Sequence, residues 1–151
     1  MLLFFKIHKV YILLLIVFFL LLSNSYIEAV GDPGRVVELF IKEINKDRYS
    51  KAYLLFSKGL KQEVTLQQFK KSFNNVKSVS LLKKTVIEQR YNIARIKLKI
   101  ASSEWEEGKL VKKQYNGSIV LIPEVKQWKL LQVYLEEIVT NGKKEKKIRS
   151  L

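Results

Sequence analysis

At Asn74-Asn75 the spacing of apolar residues changes, and that change limits what the chain can become. Before it, apolar side chains recur every three or four residues, as on one face of a helix; after it, they alternate, as on one face of a strand. Asp32 can cap a first helix, with Pro33 at its first position, where a missing N–H costs nothing. Val36, Val37, Phe40, Ile41 and Ile44 follow helical spacing, and Asn45-Lys46-Asp47 breaks it. Tyr49, Ala52, Tyr53 and Phe56 predict a second helix, with Gly59 in its C-cap region. Thr65 with Gln68 forms a capping box for a short third helix carrying Leu66, Phe69 and Phe73.

Beyond the asparagines, Val76 to Glu88 suits one strand or two short ones. Asn92 to Ala101 is the clearest strand. Ala94, Ile96, Leu98 and Ile100 face one way; Arg95, Lys97 and Lys99 face the other. One buried face and one wet face is the mark of an antiparallel sheet. Ser102 to Gly108 reads as a polar loop holding Trp105. Lys109 to Ile122 predicts another long strand, with Val111, Tyr115, Ile119 and Leu121 in phase. Asn116-Gly117 within it reads either as a hairpin turn or as a bulge. A turn at Pro123 to Lys126 precedes a last strand, Gln127 to Ile138, and order is expected to end at Asn141-Gly142. Helices first and strands after them imply an α+β domain over residues 30–140. Its helices pack on one face of an antiparallel sheet of four to five strands. Residues 141–151 are expected to be a basic, disordered tail.

Residues 1–29 differ from the rest. Lys6, His8 and Lys9 are followed by an unbroken apolar run of 13 residues, Val10 to Leu22. That is the length of a secretory signal core and short of the roughly 20 residues a membrane-spanning helix needs. The segment therefore reads as a signal peptide, cut after Ala29 or Ser25. An uncleaved anchor is the alternative, because Met1 to Phe5 is also apolar and Tyr26-Ile27 can lengthen the span. Either way the domain is expected outside the cytoplasm, secreted or membrane-anchored.

The chain has no cysteine, so disulfides, thiol nucleophiles, iron–sulfur clusters and a lipid-bearing cysteine are excluded. Its one histidine is His8, which leaves residues 30–151 without the base of a Ser-His-Asp or Cys-His site. No metal or cofactor site is read, and an enzyme is not the expected class. Of 28 basic residues, Lys6 and Lys9 precede Val30, leaving 26; of 14 acidic ones, Glu28 does, leaving 13; the net charge from Val30 onward is +13. Such a charge concerns partners rather than fold. It suits an anionic cell-envelope polymer or a membrane surface.

Several stretches resemble the superfamily named after nuclear transport factor two, the α+β cone fold, and within it the small exported bacterial proteins of the lumazine-binding-like group. Val36 to Phe56 is similar to that fold's first helices, with a polar break before an aromatic residue and then an alanine. Thr65 to Phe69 is similar to its short helix before the sheet. Ile119 to Ile122, a turn, and Gln127 to Leu130 with its tryptophan are similar to its closing hairpin. The resemblance implies a curved sheet forming a cone. It does not imply a single activity, since the fold carries enzymes, ligand binders and assembly modules. The His/Asp or Tyr/Asp pair of the family's enzymes has no counterpart here: Asp32 and Asp47 both read as helix-end residues.

Two groups of candidate site residues follow. Tyr49, Tyr53, Tyr115 and Trp128 are candidates for lining an apolar pocket, with simple core packing as the alternative. Arg95, Lys97, Lys99 and Trp105, with Lys143, Lys144, Lys146 and Lys147 of the tail, are candidates for a protein partner or an anion. Nucleic acid is disfavoured, because a single-strand groove interleaves aromatic residues with its cations and Tyr91 alone is in phase with the stripe. Glu104, Glu106 and Glu107 are expected in a solvated loop. The expected role is a non-enzymatic protein- or surface-interaction module. The alternatives are a carrier of a small apolar ligand and a membrane-anchored component of a transfer or division complex.

Overall fold

The computed structural model describes residues 31–139, together with the backbone of residues 148–150. The proposed targeting segment 1–29 and the candidate lysines Lys143, Lys144, Lys146 and Lys147 lie outside the described residues. Among the described residues four helical segments come first: α1 (Pro33–Ile44), α2 (Tyr49–Tyr53), α3 (Lys58–Glu63) and α4 (Leu66–Ser72). Five strands follow: β1 (Val76–Gln89), β2 (Ala94–Glu106), β3 (Lys109–Glu124), β4 (Gln127–Glu137) and β5 (Ile148–Ser150). They form one antiparallel sheet in chain order. The chain is thus an α+β protein.

The helix starts follow the sequence. Asp32 Oδ1 accepts the Gly34 N–H at 2.8 Å ahead of Pro33. Thr65 and Gln68 make the reciprocal capping box. The helix count differs from expectation, with four segments in place of three. Gly59 lies inside α3 rather than at the end of α2, because Ser57 caps a new helix by accepting the Leu60 N–H at 3.1 Å.

The strands run longer than expected. Val76 onward is one strand, bent at three register shifts. Ser102 to Glu106 is not a loop. It prolongs β2, and only Glu107 and Gly108, both at positive φ, make the turn. That geometry is the two-residue turn whose twist matches a hairpin. Asn116-Gly117 makes neither turn nor bulge, since β2 and β3 stay in register through it. Glycine is required there by close approach: a Cβ would lie 2.6 Å from the Tyr134 carbonyl oxygen. The bulge falls further on, beside Val120/Leu121. Strand β3 continues through Pro123, so the next turn is only Val125-Lys126. Residues 148–150 pair with β4, where no order was expected.

The core lies between the helices and one face of the sheet. Val37, Phe40 and Ile44 of α1 meet Ile96, Leu98 and Ile100 of β2, Ile119 and Leu121 of β3, and Leu130 and Val133 of β4 in a single buried cluster. Phe40, Phe56, Phe69 and Phe73 stack among themselves at centroid separations of 4.9 to 6.0 Å. The sheet edges are partly occupied. Asn45 acts as a peptide group would, donating to the Val79 carbonyl and accepting its N–H, both at 2.7 Å. On β4, Leu130 exchanges backbone hydrogen bonds with Leu55 and Ser57 at 2.8 Å. Such contacts satisfy groups that an open edge offers to other chains.

Candidate functional site

All four helices precede the sheet in sequence, and the strict alternation of β2 sends its odd-numbered side chains away from the buried face. Arg95, Lys97 and Lys99 stand there together, on the open face, in the sequence-expected stripe. Pairing adds residues that the sequence did not join to them. Lys83 of β1 is opposite Lys99, and Asn116 and Ser118 of β3 are opposite Lys99 and Lys97. With Tyr134 and Glu136 of β4, Lys83, Lys97, Lys99, Asn116 and Ser118 line a groove of about 520 Å³. Arg95 is held by Glu88, its Nε donating to Oε2 at 2.9 Å. Lys83, Lys97 and Lys99 make no ion pair with another described residue. Three ammonium groups against the one carboxylate of Glu136, with Asn116, Ser118 and Tyr134 as neutral hydrogen-bonding neighbours, leave the groove net positive and suited to anions. Lys83 was hidden because its place depends on a register shift between Leu81 and Lys83, which no local pattern reveals.

Along the same face, Trp105 ends the β2 stripe and lies directly opposite Leu110. It is 47% exposed, and the Lys77 ammonium lies 5.9 Å from its ring centroid. The indole is therefore presented at a hairpin end rather than folded into the core.

The acidic stretch corrects a second expectation. Glu104 is not solvated; it is 4% exposed. It falls in phase with Ile100 and Ser102 on the helix-facing side of β2, so strand continuation carries it inward. Its Oε1 accepts the Ser102 hydroxyl at 2.7 Å and the Tyr115 hydroxyl at 2.8 Å. Lys113 Nζ lies 3.7 Å from Glu104 Oε2 and from Glu137 Oε2, and also donates to Glu106. Burial by itself lowers the Lys113 pKa. The hydrogen bond to Glu106 and the charges of Glu137, Glu104 and Glu106 outweigh that, and the ammonium is held above its ordinary value. Ser102, Lys113 and Glu137 also border a cavity of about 690 Å³ whose walls include Ser78, Ser80 and Gln114. The signal in the sequence was the alternation Ile100, Ser102, Glu104. It was masked because Glu-Gly is a weaker turn signature than the Asn-Gly nearby.

The four aromatic pocket candidates are not brought to one wall. Tyr49 and Tyr53 join the phenylalanine cluster at 5.2 to 6.3 Å between centroids. Tyr53 donates to the Val64 carbonyl at 2.9 Å. Tyr49 donates to Asp47 at 3.0 Å; burial first, then Asp47, raises its pKa. Tyr115 is opposite Glu137, whereas Trp128 is opposite Pro123. The eight residue steps along β3 between those points span about 26 Å. The Trp128 indole donates to the Gly31 carbonyl at 2.9 Å, tying the start of the described chain to β4.

Among the described residues no group of three or more His, Cys, Asp or Glu is placed to hold a metal ion, and no helix is long and apolar enough to cross a membrane. No protein-family model matches the chain, and no curated protein matches it.

Proposed function

We propose that the chain is an exported, non-enzymatic module of the nuclear transport factor two-like cone type, which binds an anionic surface through the open face of its sheet. One observation carries this reading: Lys83, Lys97 and Lys99 converge on one groove without an ion-pair partner among the described residues. The α+β order of elements supports the cone assignment, and the apolar run at Val10 to Leu22 supports export.

The test is co-sedimentation of the full chain with a polyanion, using polyphosphate as the soluble probe. Reversing two charges, Lys97→Glu with Lys99→Glu, is expected to weaken binding at least about tenfold, at about fivefold per cation near an anionic surface, and to flatten its salt dependence. Lys42→Glu, on an exposed position of α1, is expected to change it little. Equal losses in both variants would show that net charge, not the groove, does the binding.

A second reading, a small-ligand carrier, is favoured by the 690 Å³ cavity beside Lys113. Serine, glutamine and charged side chains in its walls suit a hydroxylated or charged ligand rather than an apolar one.

A further inference from the structure

We infer that the anionic surface is a lipid bilayer, and that the end of the β2–β3 hairpin lays the Trp105 and Leu110 side chains of its open face into it. The inference rests on the role proposed above for the open face and names its partner.

Trp105 and Leu110 form one cross-strand pair on the last steps of the ladder, 47% and 44% exposed. The hairpin closes in two residues, Glu107 and Gly108. Lys112 follows one step inward on the same face, opposite Ser103, and Lys77 lies over the indole ring. An exposed Trp–Leu pair flanked by ammonium groups is matched on both counts by an anionic bilayer. Indole rings settle at headgroup level, and lysines near an anionic surface are attracted to it. A soluble polyanion would match the lysines alone, since it offers no apolar phase to the pair. Of the nearby carboxylates, Glu104 and Glu106 are engaged by Lys113, and Glu107 stands exposed in the turn, outnumbered by Lys77 and Lys112. The register between β2 and β3 is unbroken from Trp105 to Arg95, so the apolar pair and the lysine groove belong to one face. Trp105 is six residue steps from Lys99, about 20 Å, a span that one membrane surface can meet at both ends.

The experiment is tryptophan fluorescence of the full chain, read as the difference between the unaltered protein and Trp105→Phe. The apolar run Val10 to Leu22 contains no tryptophan, so a blue shift or quenching in the difference signal reports the surroundings of Trp105 and not those of the run. With phosphatidylglycerol-containing vesicles the Trp105 component is expected to shift to the blue and to be quenched by lipids brominated on their acyl chains. With polyphosphate neither change is expected. Leu110→Ser is expected to weaken the fluorescence-detected vesicle affinity about tenfold, by removing a buried aliphatic side chain. Lys97→Glu with Lys99→Glu is expected to weaken it similarly, and pure phosphatidylcholine vesicles are expected to give little shift.

If Trp105 stays unquenched on phosphatidylglycerol vesicles while polyphosphate binding still depends on Lys97 and Lys99, insertion is refuted and the anion-binding reading stands. If neither probe depends on those lysines, both fail. A blue shift that appears with protein concentration alone, without lipid, would reassign the pair to a homodimer contact.

Discussion

Two sides of a single strand differ more than most pairs of domains do. On β2, Ala94, Ile96, Leu98 and Ile100 are buried against the helices, while Arg95, Lys97 and Lys99 point the opposite way. The backbone is common to both sets, so position in the pleat alone separates core from surface. Further along the strand the contrast breaks down. Ser102 and Glu104 remain on the inward side, yet they are polar, and Glu104 is as buried as the core. There the inward face is closed by hydroxyls and an ammonium instead of by aliphatic side chains. Burial is thus set by where partners stand, and hydrophobicity is only the commonest way of meeting its cost.

The sharpest test of that contrast uses adjacent residues. Ile96→Ala is expected to destabilise the fold by about 3 kcal/mol, because it opens a cavity among side chains that cannot collapse onto it. Lys97→Ala is expected to shift stability by less than about 0.5 kcal/mol, since it removes surface contacts only. Urea denaturation of the two variants measures both. Similar losses would mean that the open face is covered in solution.

A comparable loss is expected at the polar end of the buried face. Glu104→Ala takes one of three carboxylates from Lys113 and leaves the hydroxyls of Ser102 and Tyr115 without this acceptor; it is expected to cost about 3 kcal/mol. Glu104→Gln keeps an acceptor oxygen and is expected to cost less. If both variants unfold at the wild-type urea concentration, the carboxylate is solvated as the sequence reading had it.

The smallest effect is one of pH. Folded Lys113 keeps its proton to higher pH than unfolded lysine does, so its stabilising contribution is complete below the unfolded value and is lost as pH rises through the folded one. Tyr49, also raised, acts in the same direction. Lys129 opposes them. Burial, then Lys61, lowers its pKa, so its contribution grows with pH up to the ordinary lysine value. Urea midpoints should therefore fall more steeply above about pH 10 in the unaltered protein than in Lys113→Met. Parallel curves would remove Lys113 from that balance.

What the sequence concealed has a common cause. The capping signals at Asp32 and Thr65 and the alternation from Ala94 to Ile100 act over a few residues, and all three are realised in the structure. Asn116-Gly117 misled because a dipeptide that favours turns also serves where two strands and their side chains come close. Ser102 to Glu106 misled because its polarity suggested solvent, and its partners, Tyr115 and Lys113, stand on another strand. Of the candidate residues, the β2 stripe was legible, whereas Lys83 and the scattering of Tyr49, Tyr53, Tyr115 and Trp128 were not.

Residue order alone determined that helices precede an antiparallel sheet, that one face of β2 is apolar and the other basic, and that cysteine and histidine chemistry is absent from residues 30–151. These follow from period and composition, which are local or additive. Tertiary structure alone decided that Glu104 is buried, that Lys83 joins Lys97 and Lys99, and that Trp105 meets Leu110 at an exposed end. Each depends on strand register, and register is chosen by the whole sheet's packing rather than by any one segment.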